Sequence, residues 1–469
     1  MHRWRALAAA AICALSASAA SAAAAQNRPD QRAFLELYKE LVETDTTLSA
    51  GSCTRAAGQI AARLRAAGFP GDAIMTFAPP DHPREGGVVA VLPGSDPALP
   101  AVLLLGHLDV VEARRADWTR DPFTLVEEDG YFYGRGTFDD KAQGAVWADT
   151  MIRLRPRTPR RTVKLALTCG EETTFAFNGA EWLTRTRPDL IAAGFVLNEG
   201  GGGRYGANGR PDMLAVQIGE KAAQNYTLTA THSGGHSAQP TEDNAIYALV
   251  GAVQAIREHR FPVSFTATTR AFFAAMAQRA GAEMGEAIRR LLADAGDAEA
   301  DAIVSRDKTL QAALRTTCVP TLLSAGHAEN ALPQRATANI NCRLFPGETV
   351  EGVLDTLRGL AGPEVVVTAN QPIRPTAVPL APDPAILAPM TQVAKRHFPG
   401  VPVVPMMSAG ATDGIFFQAI GIPVYGVPGM LIDGDMSGIH GRDERIRVKA
   451  LYAGRDYLFD LVKAYADVR

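Results

Sequence analysis

The chain has 469 residues, of which 47% are apolar and 21% charged, so it carries core material for two or more globular domains. Its formal net charge is −3 and its pI is near 6.3, which leaves no basic footprint and argues against nucleic acid as a partner.

In chain order, Arg3 and Arg5 precede an apolar stretch at 6–20 and small residues at 21–25 that offer cleavage positions before Gln26. Residues 1–25 therefore read as a signal peptide, short and alanine-rich for a bilayer span, and the mature chain is expected to be exported, periplasmic or secreted. No later segment is long and apolar enough to span a membrane. Cleavage would leave four cysteines, Cys53, Cys169, Cys318 and Cys342. Export permits oxidation, and Cys318 and Cys342 lie in two strand-like stretches, but reduced, buried cysteine is the expectation.

Apolar spacing through Phe34, Leu37 and Leu41, then Ile60, Leu64 and Ala67, predicts helix between about 28 and 69. Strands near 88–92, 101–105, 163–168 and 194–198 then alternate with helices over 141–155 and 178–186. This rhythm argues for an α/β fold, a mostly parallel sheet with helices on both faces. Composition changes after Glu220. Residues 226–231 and 335–345 alternate like strands with one exposed face, and the stretches 245–257 and 271–314 between them read as helical. The expected organisation is a catalytic domain in two parts, 26–220 and 347–469, with an α+β domain inserted at 221–346 and a last helix near 447–466.

Three of the apolar runs end in acid or histidine. AVLLL at 101–105 leads into Gly106-His107-Leu108-Asp109, VKLALT at 163–168 into Cys169-Gly170-Glu171-Glu172, and GFVL at 194–197 into Asn198-Glu199. In open α/β sheets the chemistry sits just past the carboxyl ends of the strands. Asp139 and Asp140 follow a glycine-rich loop between the first two runs, and adjacent carboxylates repel unless a cation lies between them. A solvated charge run fits poorly there, because an apolar helix with Ala142, Val146 and Trp147 starts at once. His107 and Asp109 are two apart on an extended segment, so Asp109 can accept the second ring N–H of His107 and fix its tautomer. Glu171 and Glu172 diverge, which lets one ligate metal while the other handles the proton of an activated water; acids favoring a helix's first turn are the alternative. A two-ion site needs a further histidine from far along the chain, and His440, flanked by glycines before the last helix, supplies it.

The segments Gly106–Glu112, Tyr133–Lys141, Gly170–Glu172 and Leu197–Gly200, the Gly234-Gly235-His236-Ser237 of the insert and the Gly438–Glu444 run together resemble the co-catalytic dinuclear zinc peptidases and amidohydrolases. That family includes aminoacylase, carnosinase, glutamate carboxypeptidase, succinyl-diaminopimelate desuccinylase and carboxypeptidase S, and the chain looks most like the carboxypeptidase S branch. The resemblance implies two zinc ions per subunit, with cobalt or manganese also suited to such nitrogen and oxygen ligands. His107, Asp139 and Glu199 would hold one ion, and Asp139, Glu172 and His440 the other, with Asp139 bridging. Glu171 would be the general base and Asp109 the acid that orients His107. The Asp139–Asp140 peptide would be cis.

The inserted domain would be a lid and dimerisation domain, making a homodimer possible. His236 would reach an active site, often that of the partner subunit, and polarise the scissile carbonyl. Asn330 matches an Asn-x-x-Pro turn. Arg343 would bind the substrate carboxylate, unless it only lies over its own sheet. Gly410 and Thr412 belong to a loop like the family's Gly-Gly-Thr-Asp, from which Ala411 departs. The implied function is an exported zinc-dependent carboxypeptidase or dipeptidase that cuts an amide next to a free carboxylate. An aminoacylase acting on N-acyl amino acids is the alternative within the class, and a non-catalytic metal- or peptide-binding homologue the alternative outside it.

Overall fold

The computed structural model describes residues 28–173, 177–206, 209–378 and 380–467, so the signal peptide expected at 1–25 lies outside the described residues. Three strands come first, β1 (Ile74–Phe77), β2 (Gly87–Leu92) and β3 (Val102–His107), followed by a small hairpin, β4 (Val126–Glu128) and β5 (Tyr131–Tyr133). Then come β6 (Val163–Thr168), β7 (Phe195–Asn198), β8 (Leu214–Glu220), β9 (Ala222–Thr231) and the short β10 (Gly235–His236). The remainder are β11 (Thr317–Ala325), β12 (Ala331–Leu332), β13 (Arg335–Leu344), β14 (Val365–Ala369), β15 (Val403–Ser408), β16 (Val424–Gly426) and β17 (Arg445–Arg447).

Eight of these strands form one sheet in the order β1-β2-β6-β3-β7-β16-β8-β15. Its centre, β6-β3-β7-β16, is parallel, as is the β8–β15 pair, while β1 and β2 run antiparallel at the edge. Strand periodicity sorts the side chains onto two faces. Val102, Leu104, Val163 and Leu165 pack beneath the helices Pro29–Val42, Cys53–Ala66, Lys141–Leu154, Pro384–His397 and Val448–Tyr465. Leu103, Leu105 and Ala166 point the other way, toward the helices Gly179–Thr186 and Gly414–Ala419. The helix Lys141–Leu154 is buried on nearly all sides, and its Trp147 indole N–H donates to the Leu105 carbonyl at 2.9 Å. That bond ties the helix that follows Asp139 and Asp140 to the strand that ends in His107.

A second, four-stranded antiparallel sheet has the order β11-β13-β9-β14. Its inner face, with Leu228, Ala338, Ile340 and Leu344, is covered by the helices Ala245–Glu258 and Val350–Ala361. Its other face carries Asn225, Asn339, Asn341 and Arg343. Between β10 and β11 the helices Ala267–Arg279, Ala282–Ala293, Ala298–Val304 and Lys308–Leu314 build a separate small core against Val404 and Met407 of β15.

Several expectations shift. The helical pattern read over 28–69 resolves into two helices, one for each apolar spacing, parted at residues 43–52. The βα rhythm expected to resume at Gly347 does not rejoin the large sheet there, because β14 pairs with β9 in the small one. The helix Val350–Ala361 and β14 repeat a βα pattern whose sheet the pattern alone does not name. The cysteines are disulfide-bonded rather than reduced: Cys318 and Cys342 face each other across the β11–β13 register, and Cys53 joins Cys169 across a Cα separation of 6.0 Å.

Candidate metal centre

The parallel strands β3, β6 and β7 end side by side, and this places the three sequence motifs together past the carboxyl ends of the central strands. His107 is the last residue of β3 and is 1% exposed, so its ring is fixed among the strand ends. Its Nε2 lies 3.2 Å from Asp139 Oδ1 and 3.8 Å from Glu199 Oε2. His440 arrives from the other end of the chain, and its Nε2 lies 3.0 Å from both Asp139 Oδ2 and Glu172 Oε1. Two groups able to hold a metal ion result, His107/Asp139/Glu199 and Asp139/Glu172/His440, with Asp139 common to both. A third overlapping group, His107/Glu171/Glu172, includes the expected general base. The Asp139–Asp140 peptide is cis, as the resemblance implied.

Asp109 departs in detail from its expected contact. The Nδ1–H side of His107 meets the Asp109 backbone carbonyl at 3.0 Å, while the nearer carboxylate oxygen, Oδ1, stands at 3.7 Å. Oδ2 accepts the Glu172 backbone N–H at 2.9 Å, so Asp109 ties the β3 end to the Glu171-Glu172 turn.

The electrostatics of the centre are those of crowded acids. Burial and the neighboring Glu199 push the Glu171 carboxyl well above the usual range. Burial also raises Asp140 and Glu199. Burial opposes protonation of His107, but Glu199, Asp109 and Asp139 outweigh it and hold the imidazole well above its usual range. Hydrogen bonds donated to Asp139 and Glu172 raise His440 to about 10. Glu199 Oε1 and Asp109 Oδ1 are buried with no hydrogen-bond partner among the described residues. An orphaned carboxylate oxygen amid imidazole nitrogens and further carboxylates is the donor set that suits a borderline divalent cation, so the residues present fit zinc, cobalt or manganese.

Supporting residues that sequence reasoning passed over hold the ligands in place. Glu444, fully buried, accepts the backbone N–H groups of Phe138 at 2.8 Å and Asp139 at 3.0 Å through Oε1. Its Oε2 takes the Gly136 N–H at 3.0 Å and the Arg135 guanidinium at 2.7 Å. Asp413 accepts Thr168 Oγ1 at 3.0 Å and Asn178 Nδ2 at 2.6 Å, and burial lifts its pKa to about 6. The only sequence signals were proximity: Glu444 lies four residues beyond His440, and Asp413 follows Thr412.

A cleft of about 440 Å³ opens over the centre, lined by Glu171, Glu172 and His440 together with Asn225, Asn341, Arg343, Arg374, Gly410 and Thr412 among others. Arg343, Gly410 and Thr412, the residues expected to bind substrate, thus line the cleft. Thr412 Oγ1 itself is engaged, donating to Glu220 Oε2 at 2.8 Å and accepting from Asn198 Nδ2 at 3.1 Å. His236 and Asn330 are not brought to this cleft. They sit together on the exposed β10–β12 ribbon, where the Ser237 N–H donates to the Asn330 carbonyl at 3.1 Å.

Known proteins share this architecture. The chain is 29% identical over 381 residues to human N-fatty-acyl-amino acid synthase/hydrolase PM20D1, covering 79% of this chain and 75% of that one. It is 28% identical over 393 residues to the probable carboxypeptidase S-like 2 of Dictyostelium discoideum, covering 79% and 72%. The fold matches a metallo-carboxypeptidase from Sulfolobus solfataricus with a TM-score of 0.70 at 18% identity, over 92% of this chain and 99% of that one. The description of peptidase family M20/M25/M40 matches residues 103–464, a span that contains every ligand candidate from His107 to His440; the chain belongs to that family and is a hydrolase of amide bonds.

Proposed function

We propose that the protein is an exported, metal-dependent carboxypeptidase or dipeptidase that hydrolyses an amide bond next to a free carboxylate. The observation that carries this reading is the cleft itself, in which Glu171 stands beside the two candidate metal groups and shares the lining with Arg343. His107, Asp139 and Glu199 would hold one zinc ion and Asp139, Glu172 and His440 a second; when bound, the pair supplies Lewis-acid activation of water and carbonyl.

The remaining steps belong to the chain's own groups. Glu171 takes a proton from the attacking water and returns it to the leaving amine. Its environment suits the task, because burial and neighboring carboxylates raise its proton affinity. Asp109 keeps His107 and the Glu172 backbone in register. Arg343 pairs with the free carboxylate of the substrate, an anion its planar fork matches. His236, absent from the cleft of its own chain, would stabilise the developing oxyanion in the cleft of a second copy. The leader-like sequence of residues 1–25 supports export, and no helix among the described residues is long and apolar enough to cross a membrane.

The name of the PM20D1 relative supports a second reading, hydrolysis of N-acyl amino acids, which needs the same groups. A hydrolysis panel of dipeptides, longer peptides and N-acyl amino acids, run with and without chelator, separates the two. Turnover of peptides that is lost with chelator and restored by zinc is expected. Turnover confined to N-acyl amino acids would replace the first reading with the second.

A further inference from the structure

Two arginines line the cleft, and they come from different parts of the chain. Arg343 lies on the polar face of β13, where Asn339, Asn341 and Arg343 alternate with buried Ile340, Cys342 and Leu344. Arg374 belongs to the segment that leaves β14, between Pro372 and Pro375, and its guanidinium lies 5.5 Å from the centroid of the Phe416 ring. The proline rings limit the backbone and the aromatic face supports the cation, so the group is held rather than swinging free.

Neither guanidinium makes a hydrogen bond or an ion pair among the described residues. Elsewhere the chain pairs its arginines readily, as at Arg135–Glu444 and Arg455–Asp149. A half-buried guanidinium with no hydrogen-bond acceptor has lost water without replacing those bonds, and a carboxylate offers two parallel acceptors that fit its fork. One carboxylate satisfies one arginine. Beside them Asn341 Nδ2 donates to Asn225 Oδ1 at 2.8 Å, which orients the two amides on the cleft wall.

Resting on the hydrolase reading above, we infer that the cleft selects a leaving residue with two carboxylates, a dicarboxylic amino acid. Arg343 takes the carboxylate beside the scissile amide, and Arg374 takes the side-chain carboxylate. Arg374 is thereby the specificity-determining residue. A neutral side chain of the same shape leaves its fork unpaired, and an isostere that lacks the recognised charge is rejected because a desolvated polar group then has no partner.

The test uses the zinc-loaded mature chain and two matched pairs, N-acetyl-glutamate against N-acetyl-glutamine and alanyl-glutamate against alanyl-glutamine. Hydrolysis is read as kcat/KM, and binding by calorimetry on the Glu171→Gln protein, which does not turn the ligand over. Glutamate compounds are expected to lead by at least about tenfold in both readouts, mainly through KM. Arg374→Gln should reduce that ratio to within about twofold of one. Arg358→Gln, which alters an exposed arginine paired with Glu351 and Asp355 outside the cleft, should leave the ratio untouched. A ratio near one in the unaltered protein, or a ratio that survives Arg374→Gln, overturns the inference. So does a preference for a succinyl over an acetyl group without discrimination at the leaving residue. Preferential binding of the glutamate compounds without hydrolysis of any substrate would sink the hydrolase reading while supporting the selection.

Discussion

At Glu171 two demands meet. A general base must lose its proton to accept another, yet burial and the neighboring Glu199 both favor its neutral form. Cations held by the surrounding ligands would restore the balance, since opposite charge stabilises the carboxylate. Glu171→Gln keeps the shape and removes the proton transfer proposed for this group. Activity should fall by at least about a thousandfold with zinc content by elemental analysis unchanged. Activity within tenfold of the parent would remove Glu171 from the mechanism. Glu220 carries a second pH argument: it hydrogen-bonds to Thr412 and Gln217 rather than to a ligand candidate, and the charges of Glu199 and Asp413 add to burial in raising it. Burial raises its pKa to about 8 from an ordinary 4.5, so between those values the folded chain holds a proton that the unfolded chain has released. Its contribution to stability is therefore complete below the lower value and is lost as pH rises toward the upper one, at roughly 1.4 kcal/mol per unit. Glu220→Gln should flatten the fall in denaturation free energy from pH 5 to pH 8. An unchanged slope would mean that Glu220 is ionised in the fold.

The sequence made the ends of elements legible where the signal is local. An apolar run followed within four residues by acid or histidine marks β3, β6 and β7, and all three runs converge in one sheet. Residues that act over long separations left no such trace. Glu444 grips the backbone of Asp139 across 305 positions, and Cys53 meets Cys169 across 116, and nothing in the local pattern of either names its partner. The helical stretch read as one at 271–314 is broken near Gly281, near Gly296 and again at residues 305–307, and β14 joins the small sheet by a pairing that periodicity does not encode. The Glu444 contact shows what such an unseen partner is worth. Glu444→Ala would strand the buried Arg135 charge and release three backbone N–H groups, at a cost of about 3–5 kcal/mol. Urea denaturation measures it, and a loss below about 1 kcal/mol would show that water replaces the carboxylate without penalty.

At the scale of the molecule, one surface and two misplaced residues call for the same explanation. The outer strand β11 exposes Val319, Leu322 and Leu323, and the adjoining helix Ala245–Glu258 exposes Tyr247 and Val250. Leu322 is 71% exposed and Leu323 61%, so the two form a patch rather than a lone surface leucine. An apolar edge strand of nine residues is a template for pairing with another chain. His236 and Asn330 meanwhile lie on an exposed ribbon outside their own cleft. A two-fold dimer along β11 accounts for both, covering the edge and letting each copy lend His236 to the other. The double variant Leu322→Lys with Leu323→Lys should sediment as a monomer, with little change in denaturation midpoint and a large loss of activity. Complementation decides whether His236 crosses between copies. His236→Ala and Glu171→Gln proteins should each be inactive alone. Unfolded together and refolded at equal amounts, half the dimers are mixed, and one of the two sites in each then has both groups, so about a quarter of the parent activity should return. Within a single chain the two lesions could never complement, so a mixture that stays inactive would place His236 at its own site or outside the reaction.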